Sequence, residues 1–511
     1  MNNLKRTAAQ TAILMMILTL ISKVFGFVRE MAMAYFFGTT YVTDALVIAL
    51  AIPGIIFGGI FGSVATAYMP LFSKTIETDG ERAGSKLTSE VINLLFIVSI
   101  VASIIGILFS NQIVSIFASG FTGETARLAS NFTKITLCYV LFTSIAGVIE
   151  SYLQYKGIFL VQIVLGYIQN IVIISVIIIS AYTSHYYLAF GWLLAYIARL
   201  LIILIIAKKR GLKYSPVFKV DETVKKIILI SFPVFVGNSI AQINAFVDKA
   251  IASGLPEGSV SALNYGMILI LLITGLTISI LTTILYPKLN HAFSLQDYDR
   301  LSDILGTGVT LIAIVAIPCS LGAMVYSNQI VQIVYERGAF DPIATSMTSS
   351  AFFYYSIGLL FMSFNELIIR AYYSMHNMKT PMIIGAIGVI INVVLNLILV
   401  RFMAHGGLAL ATSISYTATS IMLFACMKRN YSHINLLKSW RKIMIIVISA
   451  IVSVGSSYLI YTFVVMPLAD IINVRVVQLG IAVFTAVLIY LGMLVVFKVE
   501  EIKIIKQILN R

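Results

Sequence analysis

Along this chain, apolar runs of about 20 residues alternate with short polar connections that are often basic. A run of 18 or more apolar residues is long enough to cross roughly 30 Å of hydrocarbon as a helix. Backbone groups in lipid must be satisfied within their own element, which selects helices over open sheets. The pattern predicts helices near 11–36, 42–72, 89–110, 132–155, 158–182, 186–207, 227–253, 260–288, 303–326, 349–374, 381–403, 406–427, 442–465 and 473–497. The expected fold class is therefore all-α: a polytopic membrane protein with about 14 transmembrane helices.

Composition agrees. Of 511 residues, 59% are hydrophobic and 11% charged, and the mean hydropathy is +0.99. A soluble globular chain of this length could not cover its surface with so few polar groups. The net charge of +14 would suit nucleic acid, but its placement argues otherwise. One set of loops holds most of the Lys and Arg, including Lys208, Lys209, Arg210, Lys213, Lys219, Lys225 and Lys226. The opposite set holds Arg127, Lys134, Arg337, Arg401 and Arg475. By the positive-inside rule this is a topology signal, and an even helix count then puts both termini in the cytoplasm. No nucleic-acid partner is expected. The first apolar segment is too long, and lacks the small-residue site, to be a cleaved signal peptide. Cys138, Cys319 and Cys426 lie far apart in apolar runs, so no disulfide or metal framework is visible. There is no GxxxxGK[ST], HExxH or GxSxG, and the five histidines form no ligand pattern. Neither ATP hydrolysis nor a known hydrolytic site drives this protein, which is not expected to be an enzyme.

The chain also resembles itself. "FVREMAMAYFFG" (27–38) is similar to "FVDKAIASGLPEG" (246–258), and "TAYMPLFSK" (66–74) to "TILYPKLNH" (283–291). "IESYLQYKG" (149–157) falls opposite "IRAYYSMHN" (369–377), and Asn170 near Asn392, at an offset of about 217–222 residues throughout. Two parallel six-helix repeats follow, 1–207 and 227–428, joined by a basic cytoplasmic linker at 208–226. Residues 429–511 add helices 13–14 and a cytoplasmic tail. Six is an even number, so both halves insert in the same orientation, the plan of transporters that rock around a midplane site.

Several charges interrupt the apolar runs. "LTLISKVFGFVREMAMAYFFG" (18–38) contains Lys23, Arg29 and Glu30. Such residues either fix packing as an ion pair or line a polar cavity, and an intramembrane charge is a functional candidate by default. Asp44 opens the second helix, as a first-turn carboxylate facing the helix dipole or as a site residue. Asp248 and Lys249 occupy the repeat positions of Arg29 and Glu30 with reversed sign, and Glu150 stands opposite Arg370. These could form ion pairs that close a gate. Gly54, Gly58 and Gly62 are spaced four apart, which suits close helix packing. Asn392 and Asn396 share a helix face and Thr412 begins the next helix; they either hydrogen-bond between helices or offer oxygen ligands to a cation.

The segments "SKVFGFVREMAMAYFFGTTYVTDA" (22–45), "LPEGSVSALNYG" (255–266) and "YSMHNMKTP" (373–381), on the 6+6+2 plan, resemble the MurJ/MviN family of the multidrug/oligosaccharidyl-lipid/polysaccharide exporter superfamily. The resemblance runs nearly the whole chain. It implies a flippase for lipid II, the undecaprenyl-pyrophosphate-linked peptidoglycan precursor, in the bacterial cytoplasmic membrane. It further implies a V-shaped central cavity for the head group and a groove along helices 13–14 for the polyprenyl tail. Lys23 stands where the family usually has an arginine, Arg29 matches a cavity arginine, and Asp44 a cavity-edge aspartate. A pyrophosphate calls for cations of this kind. In some relatives helices 7, 11 and 12 hold a sodium ion, and Asn392, Asn396 and Thr412 roughly match that site. The chain departs from the family after Pro53, where "GIIFGGIFGS" replaces an arginine pair and a glutamate, and after Tyr265, where Gly266, Met267 and Ile268 replace an arginine.

Three function classes follow. The leading one is a flippase for lipid II, with another polyprenyl-linked oligosaccharide as alternative cargo. The second is an ion-coupled small-molecule exporter of the same superfamily. The third, a membrane glycosyltransferase or polymerase, usually needs a sizeable extramembrane domain, and the longest loops here are short. The expected partners are the lipid-linked saccharide and the bilayer. Two lobes in one chain make a complete pathway, so a monomer suffices.

Overall fold

The computed structural model describes residues 2–216, 221–431, 440–467, 474–499 and 501, of which 2–17, 233–234, 236–241 and 276–284 are described by their backbone alone. The helices are α1 (Asn2–Phe37), α2 (Tyr41–Pro53), α3 (Gly59–Leu108), α4 (Ser110–Phe117), α5 (Gly123–Tyr155), α6 (Leu160–Tyr182), α7 (Leu188–Lys209) and α8 (Glu222–Ala252). They continue as α9 (Ser259–Ser294), α10 (Tyr298–Val325), α11 (Ser327–Tyr335), α12 (Pro342–Ser374), α13 (Lys379–Asn430), α14 (Trp440–Ile460) and α15 (Arg475–Val496). No strand occurs among the described residues. α3 and α13 are each two crossings that meet at a non-helical residue, Gly80 (φ 81°) and Ala404 (φ 46°). α2 runs on through the turn Gly54–Gly58 into the first half of α3 as a single crossing, and α4 and α11 are too short to cross, so the described residues provide fourteen helical segments of crossing length. The protein is a helical polytopic membrane protein. Of the expected C-terminal tail, all beyond Glu501 lies outside the described residues.

The chain divides into two compact units, Met1–Ser261 with Arg337–Phe340, and Ala262–Glu336 with Asp341–Arg511. α8 thus belongs to the first unit, although the repeat assigns it to the second half. The internal repeat is also written in the backbone. Gly38 and Gly258, Gly80 and Gln296, and Gly157 and His376 all have positive φ at matching places. "SNQIV" begins both α4 and α11.

In the first unit, α3 and α5 pack through Tyr68, Phe72 and Tyr152, with the Phe72 and Tyr152 rings edge to face at 5.6 Å. Pro53 ends α2 because it has no N–H to offer the carbonyl four residues back. That carbonyl, on Ala49, instead accepts the Thr136 hydroxyl of α5 at 2.7 Å. This is how a neighbouring helix re-satisfies backbone freed inside a membrane. A single π turn, Gly54–Gly58, follows. The expectation of close packing at Gly54, Gly58 and Gly62 fails: all three are exposed, and a methyl on any of them would meet nothing within 4 Å among the described residues. The three glycines share a face, as their spacing implies, but among the described residues it is not the face that packs.

In the second unit, α12 and α13 approach closely at Gly358, whose N–H donates to Ser413 Oγ at 3.1 Å. The last two helices are tied to α10 and α11. The buried Tyr326 hydroxyl lies 2.8 Å from Ser457 Oγ, which donates to the Ala482 carbonyl at 2.6 Å, and Tyr490 donates to the Ile314 carbonyl at 2.8 Å. Tyr326→Phe is expected to lower stability by about 1 kcal/mol, the net worth of one such bond, read as a lower melting temperature of the purified protein.

Candidate functional site

The charged segment of α1 faces α6 and α7 inside the first unit. Arg29 Nε donates to Glu30 Oε1 at 3.1 Å, and Nη1 donates to Asn170 Oδ1 of α6 at 3.3 Å. The guanidinium also lies 6.0 Å from the ring centroid of Trp192 on α7, a cation–π distance. A methyl on Gly26 would sit an ordinary 3.9 Å from Asn170 Nδ2, so the approach of α6 does not depend on a glycine there. Lys23, two turns earlier, is half-buried on the same helix. Arg29 and Glu30 are partly shielded, with side-chain exposures of 25% and 16%. Three formal charges therefore share one stretch of α1, with one positive charge in excess.

A second polar cluster lies where α5, α6 and α7 meet. Arg199 Nε and Nη2 both reach Glu150 Oε1 at 2.7 Å, Arg199 Nη1 donates to Gln169 Oε1 at 3.1 Å, and Gln162 Nε2 donates to Glu150 Oε2 at 3.2 Å. Gln162, Gln169 and Asn170 recur at helical spacing, giving α6 a polar stripe that serves both clusters. Arg199 as the partner of Glu150 was missed from sequence, although it is the one cation in the apolar run "GWLLAYIARLLIILIIA". Arg370, in the second unit, pairs with Glu366 one turn earlier at 2.8 Å and is exposed. The acid and the base considered together as a gate thus each hold a partner within their own unit. Asp248 and Lys249 are half-buried on α8.

Asp44 does something different. Its carboxylate is buried and accepts the backbone N–H of Gly258 at Oδ2 and of Ser261 at Oδ1, both at 2.7 Å. Ser261 lies in the first turn of α9, whose unpaired amides and dipole both favour a negative charge. Asp44 therefore caps a helix other than its own. Close by, Glu257 Oε1 accepts the N–H of Tyr41 at 2.7 Å.

In the second unit, Asn392, Asn396 and Thr412 do come together, fully buried. Asn396 Nδ2 donates to Asn392 Oδ1 at 2.9 Å, Asn392 Nδ2 to Thr412 Oγ1 at 3.2 Å, and Thr412 Oγ1 to the Leu408 carbonyl at 3.1 Å. Two of the oxygens a sodium ion would need already accept amide protons, and no carboxylate belongs to the set. The hydrogen bonds link the two crossings of α13, and no step is routed through a cation. No cluster of three His, Cys, Asp or Glu side chains suited to a metal occurs among the described residues.

The sequence profile of the family described as "Lipid II flippase MurJ" matches residues 33–477. The chain belongs to the MurJ family. Among curated relatives, the "Probable lipid II flippase MurJ" of Rickettsia prowazekii is 26% identical over 418 residues, covering 80% of this chain and 82% of that one. The protein of the same description from Rhizobium meliloti is 28% identical over 425 residues, covering 80% and 78%. A solved structure titled "Lipid II flippase MurJ, inward closed conformation" superposes with a TM-score of 0.80 at 26% identity, covering 95% of this chain and 98% of the other. An inward-facing multidrug resistance MATE family transporter of the MOP superfamily reaches 0.69 at 13% identity over 83% of the chain, a likeness of fold. The family match begins at residue 33, so Lys23, Arg29 and Glu30 of α1 lie just ahead of it, while the solved flippase covers 95% of the chain.

Proposed function

We propose that this chain is a flippase that moves lipid II from the inner to the outer face of the bacterial cytoplasmic membrane by alternating access. The observation that carries the reading is the family match over residues 33–477. In this reading both termini are cytoplasmic, the halves 1–207 and 227–428 move around linker 208–226, and 429–511 receives the polyprenyl tail. One chain works as a monomer, and no covalent step is involved.

The charges on α1 supply the recognition. A guanidinium presents a planar fork that suits phosphate oxygens, and such bonds are stronger in a partly dry site. Arg29 is held at one side by Asn170 and has the adjacent Glu30 as its carboxylate partner. A pyrophosphate would replace Glu30 on that fork, with Lys23 as a second cation, while Asn170 and Trp192 keep the guanidinium oriented. The apolar stretch "GIIFGGIFGS" (54–63) favours, as second reading, a polyprenyl-linked oligosaccharide needing fewer cations.

Complementation tests this. In a host depleted of its own lipid II flippase, the parent chain is expected to restore viability and outer-face lipid II. Arg29→Ala and Lys23→Ala are each expected to lower translocation roughly 10- to 100-fold, the worth of a charge-assisted bond. Failure of a well-expressed, inserted parent to rescue would remove lipid II as cargo and leave the second reading.

A further inference from the structure

At one end of the first unit, four glycines press backbone directly against backbone. A methyl on Gly38 would enter the Ala339 carbonyl, one on Gly338 the Tyr35 carbonyl, and one on Gly120 the Cα and N of Gly254. On Gly258 it would lie 2.5 Å from the Thr39 carbonyl oxygen. All four are inside 3.0 Å, closer than real Cβ atoms approach, and the obstacle in each case is main chain that cannot swing aside. Elsewhere in the unit the tight neighbours of Gly84 and Gly106 are the flexible side chains of Ile76 and Leu137. Hydrogen bonds run along the same seam: Ala339 N–H to the Tyr35 carbonyl at 2.8 Å, and Gly120 N–H to Ser253 Oγ at 3.0 Å. The Asp44 clamp on Gly258 and Ser261 completes it.

We propose that Gly38, Gly120, Gly258 and Gly338 form a glycine seal, which holds segments 35–44 and 120 against segments 253–261 and 337–340 and closes this end of the transport path. Only hydrogen fits at these positions, so the seal closes by main-chain contact and opens by parting two backbones. Its role as a gate rests on the alternating-access reading; its existence as a closure does not.

The test uses the full chain in membrane vesicles, with Cys138, Cys319 and Cys426 changed to serine and a single reporter, Ser259→Cys. Ser259 is fully buried within the seam, next to Gly258. A maleimide is expected to label this reporter slowly in the parent. Gly38→Ala, Gly120→Ala, Gly258→Ala and Gly338→Ala should each accelerate labelling roughly tenfold or more, because close-packed backbones cannot absorb a methyl without separating. Two controls isolate the cause. Gly123 has a similar φ of +56° but open space around it, so Gly123→Ala carries the backbone strain without the wedge. Gly254→Ala would place its methyl an ordinary 3.5 Å from the Ile251 carbonyl. Both should label at the parental rate. A second reporter, Ser144→Cys, is buried in α5 and reads unfolding of the unit. Acceleration at 259 with 144 unchanged supports the seal. Parental labelling in the four variants, equal acceleration in Gly123→Ala, or acceleration at both reporters overturns it. Labelling needs no cargo, so failure here is distinct from failure of lipid II complementation.

Discussion

Arg199→Ala is expected to cost about 3–5 kcal/mol of stability, because it leaves the Glu150 carboxylate charged and shielded with only Gln162 for company. Glu150 and Arg199 have side-chain exposures of 10% and 24%, low enough that water cannot replace the lost guanidinium. Both Nε and Nη2 converge on one carboxylate oxygen, so a lysine there would not reproduce the geometry. Removing both charges should be milder than removing one. Glu150→Gln combined with Arg199→Gln keeps hydrogen-bonding groups for Gln162 and Gln169 and leaves no stranded charge. The double variant should recover most of the melting temperature that Arg199→Ala loses. If it is no more stable than the single variant, the pair is not what holds α5, α6 and α7 together, and the loss belongs to packing of the arginine stem.

The Glu150 pair also marks the limit of what the sequence discloses. Helices were legible because each crossing needs its own long apolar run, and the orientation signal accumulates over many loops. The repeat was legible for the same reason, and it extends to backbone features such as the positive φ shared by Gly80 and Gln296. Partnership was not. Reversed charges at Glu150 and Arg370 suggested a pair across the repeat, yet Glu150 meets Arg199 and Arg370 meets Glu366. Which acid meets which base depends on the rotation of each helix and on which helices are neighbours, and neither is encoded in spacing along one helix. Asn392 and Asn396 share a face in the sequence and do come together with Thr412, with Asn392 Oδ1 and Thr412 Oγ1 accepting amide protons from within the cluster. The partners of Asp44 left no sequence signal at all. They are main-chain amides, which every residue but proline carries.

Those amides make Asp44→Ala the largest single effect expected at the closed end. The variant strips two 2.7 Å bonds to an ionisable carboxylate and leaves the N–H groups of Gly258 and Ser261 buried without an acceptor. At 1.5 kcal/mol or more for each bond, the closed arrangement loses about 3 kcal/mol, roughly 100-fold in its ratio to any state in which α9's first turn is released. Asp44→Asn should fall between alanine and the parent. One of its two terminal atoms still accepts an N–H, but the amide nitrogen turns a donor toward the other. Asp44→Glu keeps both oxygens but, with an extra methylene, cannot place them at the same two amides in a site this buried. Labelling at Ser259→Cys gives the order directly: alanine fastest, asparagine intermediate, parent slowest. The same series in the depleted host should show viability falling as labelling rises. Should Asp44→Asn label at the parental rate while transport is lost, the carboxylate acts on the cargo rather than on the backbone. Asp44 would then belong with Lys23 and Arg29 rather than with the glycine seal.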